Sequence, residues 1–186
     1  MNIFVLDNDP WLAAENMCDK HVVKMIIESA QILSAVVDVK SGSFLSEEYD
    51  LPKYPKAHVK HPCTIWSMTT RKNAEWIIEH LEALSAEYTR RYKKQHKLGE
   101  HYQIYRGLLD KCKFEENGLT PFAQAMPDEY KSEDPVQAYR TYYLMDKGNF
   151  AKWKLETPQW YKYGRQIMLK KVKEDSNVTI NSSAVQ

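Results

Sequence analysis

The chain has 186 residues, 43% of them hydrophobic, which is enough for one domain with a sizeable core and too few for two comfortable ones. Its 26 lysines and arginines offset 25 acids to a formal charge of +1, which excludes a whole-chain field that would draw it to nucleic acid or membrane, so such binding needs a local patch. No apolar run reaches the roughly 20 residues that span a bilayer, the start Met1-Asn2-Ile3-Phe4 lacks the basic opening of a signal peptide, and three cysteines make no disulfide framework. A cytoplasmic protein is expected.

In chain order, Ile3-Phe4-Val5-Leu6 is a short apolar run that fits either a buried strand or an extended arm. Residues 10–37 contain one proline and no glycine, with Asp7 or Asp9 available as cap and Pro10 suited to the first turn, so the spacing predicts a helix with Asn16 as the candidate break. The prolines of Leu51-Pro52-Lys53-Tyr54-Pro55 make 40–60 a loop. From Pro62 to His96, Ile65, Trp66, Trp76, Ile77, Leu81, Leu84 and Tyr88 recur at three- and four-residue steps, which predicts one amphipathic helix or two in series, with Gly99 as its end.

A shorter helix is expected over 101–113, a turn at Asn117-Gly118, a packed loop over 119–127, and a helix over 134–147 that Asp134-Pro135 opens. Thr157-Pro158-Gln159-Trp160-Tyr161-Lys162-Tyr163-Gly164 reads as an aromatic turn. The fold class is therefore mainly α: a single compact helical domain over 1–171 with an extended N-terminal arm, and a polar, frayed tail over 172–186.

On the first long helix, Lys20, His21, Lys24, Glu28 and Gln31 fall within about 100° of arc, and apolar residues fill most of the rest. So narrow a polar stripe fits a cleft lining, shared with residues near His61 or Arg71. Lys24 and Glu28 are four apart and can pair; the residues alone allow a solvated salt bridge or a general acid or base at Glu28. Cys18-Asp19-Lys20-His21 and His58-Val59-Lys60-His61-Pro62-Cys63 offer Cys18, His21, His61 and Cys63 at zinc-like spacing, but neither half carries a paired C-x-x-C. Ordinary buried thiols and no cofactor are expected, with zinc as the alternative. Of the basic clusters, Arg90 to Lys97 reads as a solubilising helix end, whereas Trp160, Tyr161, Lys162, Tyr163 and Arg165 interleave cations and aromatics as nucleic-acid binders do.

Asp19-Lys20-His21-Val22-Val23, Glu28 seven residues after His21, and the late Pro158-Gln159-Trp160-Tyr161-Lys162-Tyr163 resemble the phage pyrimidine-dimer DNA glycosylase and abasic-site lyase family, often called endonuclease V. The resemblance implies DNA as partner, a bacterial host cell as location, Glu28 as the catalytic carboxylate, and an N-terminal α-amine as nucleophile on the sugar C1′. An α-amine, with an ordinary pKa near 8, keeps a useful neutral fraction at about pH 7. The family exposes a threonine amine after Met removal; here the bulk of Asn2 should retain Met1, leaving the amine of Met1 or the side chain of Lys20 or Lys24 as nucleophile. Lys20, His61 and Arg71 are candidate DNA contacts beside the aromatic segment, and His21 joins the candidate catalytic set. The expected function is a glycosylase for a damaged or modified pyrimidine, with or without lyase activity. The alternatives are a non-catalytic nucleic-acid-binding phage protein and a small zinc-binding phage protein acting on host proteins.

Overall fold

The first helix starts where its cap allows. The Asp9 carboxylate accepts the N–H groups of Trp11 (2.8 Å) and Leu12 (3.0 Å), and Pro10 occupies the position whose missing N–H costs nothing. The computed structural model describes residues 1–115 and 118–170; the expected 172–186 tail and Asn117 of the expected turn lie outside the described residues.

All regular structure among the described residues is helical, with no strand: α1 (Pro10–Asn16), α2 (Asp19–Ser41), α3 (Leu45–Glu48), α4 (Pro62–Thr69), α5 (Arg71–Tyr92), α6 (His101–Leu108), α7 (Pro135–Met145) and α8 (159–170). No helix among the described residues is long and apolar enough to cross a membrane.

The two long helices, α2 and α5, pack against each other and carry much of the core, with Ile26, Leu33, Val36, Ile77, Leu81 and Leu84 fully buried. The helix expected over 10–37 is two, divided at Met17 and Cys18, whose extended backbone redirects the chain. Likewise 62–97 divides at Thr70, whose side chain accepts the Asn73 N–H (3.1 Å) and so caps α5. That helix ends at Tyr92, with Lys93 in the left-handed region, rather than at Gly99. The third expected helix is α6 followed by a 3-10 turn, Leu109–Lys111.

The apolar run is an arm and not a strand. Ile3, Val5 and Leu6 are fully buried and Phe4 nearly so, each worth about 2 kcal/mol in transfer from water. The backbone groups of the arm find side-chain partners in place of a sheet: Asn2 Oδ1 accepts the N–H of Ile3 (2.8 Å) and Phe4 (3.1 Å), and Arg140 Nε donates to the Leu6 carbonyl (3.0 Å). Phe4 holds φ at 41°, a conformation that costs a non-glycine residue about 1–3 kcal/mol. Its ring stacks on His21 (4.3 Å between centroids), which offsets part of that cost.

The residues expected to form an aromatic turn instead begin α8. The Pro158 carbonyl accepts the N–H groups of Tyr161 and Lys162 (both 3.1 Å). This segment docks on the α1–α2 break: Asn16 accepts the Trp153 indole N–H at its carbonyl (3.1 Å) and the Trp160 indole N–H at its side chain (3.0 Å), and the Lys152 carbonyl accepts the Asp19 N–H (2.8 Å).

His80 on α5 is fully buried and stacked on Trp76 (4.9 Å), and neither ring nitrogen has a partner among the described residues. Burial lowers its pKa from 6.5 to about 3. The unfolded chain then binds a proton that the folded chain refuses. Stability from His80 is full above about pH 6.5 and is lost as pH falls towards 3, amounting to about 2 kcal/mol at pH 5. Urea denaturation at pH 7.5 and 5 should show at least that loss in the wild type, and His80→Phe, which keeps a ring on Trp76, should shrink it by about 2 kcal/mol. An equal loss in the variant would exclude His80 as the source.

Candidate active site

The polar stripe of α2 folds into three different environments. Lys20 and Lys24 are exposed, Gln31 is half-buried, and His21 and Glu28 are buried at 6% and 8% exposure. Glu28 is the point where arm and helix meet. Its Oε2 accepts the Asn2 N–H (2.8 Å) and lies 3.8 Å from the Met1 amine, while Oε1 lies 3.2 Å from Lys24 Nζ. Two positive groups and one backbone donor thus converge on a single carboxylate, and the Met1 side chain packs against the core beside it.

Asn2 fixes this arrangement. Besides capping the two N–H groups of the arm, its Nδ2 donates to the Ala125 carbonyl (2.7 Å), which ties the 119–127 loop to the site. That loop is itself held by Tyr139, whose hydroxyl donates to the Ala123 carbonyl (2.8 Å), and by Asn73, which brackets Thr120. In the sequence Asn2 bears only on the fate of Met1. The signal available was slight: one amide before an apolar run.

His61 caps α4, with Nδ1 accepting the Cys63 N–H (3.2 Å). Burial lowers its pKa, the Met1 amine and His58 lower it further, and Glu28 opposes them, which puts His61 in the electrostatic range of the site. Arg71 is elsewhere: at the start of α5 it pairs with Glu75 (2.9 Å) and Asp110 (2.8 Å). His21 lies two helical turns, about 10 Å, from Glu28 along α2. Its Nδ1 is hydrogen-bonded to the Tyr143 hydroxyl, which also accepts the Cys18 N–H (3.3 Å). Burial first, then Lys147 and Lys24, lower the His21 pKa from 6.5 to about 3, so the ring is neutral. It orients the arm through Phe4 and, among the described contacts, does not touch the amine or Glu28.

Two further sets of candidate residues have other surroundings. The zinc spacing does not assemble a site: Cys18 and His21 share Tyr143, burial pushes the Cys63 thiol up to about 12, and among the described residues no three His, Cys, Asp or Glu side chains form a metal-holding group. Tyr161 is 7% exposed and packs on Trp153 (4.5 Å), so it is a core anchor and has no free face for a base. Trp160 is half-buried, pinned to Asn16 and covered on one side by Arg140 (5.3 Å). Lys162 and Tyr163 are exposed and Arg165 is half-buried. Among the described contacts, none of these residues reaches Glu28.

A family model described as pyrimidine dimer DNA glycosylase matches residues 1–100. Nothing among curated proteins or solved structures matches the chain. The matched segment holds every group that meets at Glu28, namely Met1, Asn2 and Lys24, together with His21 and His61. The family is one of DNA glycosylases and abasic-site lyases, whose substrate is DNA. With more than half its length matched, the chain belongs to the pyrimidine dimer DNA glycosylase family.

Proposed function

We propose that the protein removes a damaged or modified pyrimidine from DNA, with the Met1 α-amine as nucleophile and Glu28 as the carboxylate that manages its protons. The observation that supports this most is the amine held 3.8 Å from a buried Glu28 oxygen. An amine attacks carbon only when unprotonated, and a neighbouring carboxylate can take its proton as attack begins.

The sequence of steps follows from that pair. The amine lone pair adds to C1′ of an extruded nucleotide while the C1′–N bond breaks, and the base leaves with the bonding electrons and gains a proton. Opening of the C1′–O4′ bond gives an imine between Met1 and the sugar. Where the reaction continues to strand scission, Glu28 removes a proton from C2′. Those electrons form the C2′–C3′ double bond and the 3′ phosphate departs. Water then hydrolyses the imine and frees the amine. Asn2 and His21 hold the arm that carries the nucleophile. A DNA substrate fits a cytoplasmic location in a bacterial host cell.

Borohydride trapping on duplexes containing an abasic site or a pyrimidine dimer tests the reading, because reduction converts the imine to a stable amine link. A trapped complex whose linked peptide begins at Met1 is expected. Linkage through Lys24 or Lys20 would move the nucleophile, and base release without any adduct would leave Glu28 activating water. Neither release nor adduct would leave the chain a non-catalytic binder.

A further inference from the structure

We infer that the 53–60 segment, through Lys53, Lys56 and Lys60, forms a phosphate-gripping rim that seats duplex DNA beside Glu28. The inference rests on the glycosylase reading and deepens it. A near-neutral chain binds a polyanion only if its charges are segregated, and here they are. From Leu51 to Ala74 the sequence contains no acid, while Lys53, Lys56, His58, Lys60 and His61 fall within its first half.

All three lysines are exposed, and none takes part in an ion pair among the described residues. By contrast Arg71, Lys72, Arg90, Arg91, Arg106, Lys131, Arg140 and Lys147 each meet a carboxylate. Other lysines of the described residues, Lys93, Lys94 and Lys97 among them, also lack an ion pair, but on this segment three such cations stand in an acid-free stretch, which suits counterion release at phosphates.

Position and stiffness favour the same role. Gln31, on the α2 stripe three residues beyond Glu28, donates from Nε2 to the Lys53 carbonyl (3.0 Å), and the Tyr54 hydroxyl donates to Asp38 (2.9 Å). Pro52 and Pro55 restrict the backbone on either side of those anchors, Lys56–Lys60 is a 3-10 turn, and His61 caps the next helix. The lysines are thus carried on a pinned element and not on a free loop. With exposed Lys20 and Lys24 they continue a basic line along α2 that runs about 16 Å from Lys20 to Gln31, the span of several phosphates on one strand.

The test is the salt dependence of binding to an undamaged duplex and to one with an abasic site, for wild type and for the triple variant Lys53→Ala/Lys56→Ala/Lys60→Ala. Each lysine that holds a phosphate should remove about 0.9 from the slope of log affinity against log salt, or about 2.7 for all three. The variant should still yield the borohydride adduct at low salt, where electrostatic affinity is highest, since its changes are exposed and leave Met1, Asn2 and Glu28 in place. A slope equal to the wild type's, in a variant that folds and traps, overturns this inference and leaves the glycosylase reading standing. A slope that falls instead for Lys93→Ala/Lys94→Ala/Lys97→Ala assigns the duplex to the end of α5 and also overturns it. A wild type that binds no duplex at low salt removes both readings together.

Discussion

Glu28→Gln should abolish most turnover while leaving the fold and DNA binding in place. The amide keeps the size of the carboxylate and an oxygen to accept the Asn2 N–H, so the arm stays seated. What is lost is the group that takes protons, and general acid–base catalysis of this kind is worth about 10²–10⁴ in rate. The lost Lys24 pair contributes little to stability, since Lys24 is 66% exposed and water screens it. Affinity should hold or rise slightly, because a carboxylate facing phosphates repels them. Single-turnover base release and a binding titration on the same duplex separate the two effects. Unchanged turnover would remove Glu28 from the chemistry, and a loss of several kcal/mol in a urea melt would recast it as a structural ion-pair partner.

The spacing from His21 to Glu28 and the narrow polar stripe were legible because helical periodicity places them without reference to the rest of the chain. The pairing of the N-terminal amine with Glu28 was legible only through the family resemblance and not through the helical pattern. Contact between the Met1 amine and Glu28 depends on an arm that doubles back over α2, on positive φ at Phe4, and on an Asn2 side chain that reaches Ala125. Each is a non-local choice that a local pattern cannot encode. His21 shows the converse case. An imidazole on a polar stripe reads as reactive, and only the surrounding Phe4, Tyr143 and Phe150 rings reveal that it is buried and neutral.

The packing of the C-terminal aromatics is hidden for another reason. Tryptophan and tyrosine interleaved with cations suit both base stacking and partly wet core anchoring, and composition does not separate the two. Burial separates them at Tyr161, and the indole hydrogen bonds to Asn16 show what Trp153 and Trp160 hold together. Pro158 suits a turn, but a proline just ahead of a helix start fits equally well, and α8 follows it. Net charge carries the same ambiguity, since a sum over the chain does not show which cations meet a carboxylate and which do not.

Arg91→Ala should cost about 3–5 kcal/mol, the largest stability loss of the changes considered. The guanidinium is 3% exposed, and its donors are spread over four acceptors on three elements: Glu87 Oε1 (2.5 Å), Asp19 Oδ1 (2.9 Å), the Met17 carbonyl (2.9 Å) and the Glu15 carbonyl (3.0 Å). These include the carbonyls freed where the α1–α2 backbone breaks, so a side chain from α5 satisfies what the interrupted helix cannot. Burial raises the Glu87 pKa, but hydrogen bonds from Arg90 and Arg91 outweigh it and leave the carboxyl below its ordinary value. Truncation at Arg91 leaves two carbonyls and much of a carboxylate without their partner, an expense larger than the pair's own net contribution. Arg91→Met, which keeps the apolar stem, should recover only the packing part. Because the break also receives Trp153 and Trp160 and leads directly into Cys18 and His21, the imine-trapping rate should fall with stability in Arg91→Ala. Urea melts at pH 7.5 would decide the matter: a loss below about 1 kcal/mol would mean that water takes over these acceptors and that the junction is held by the aromatic clasp alone.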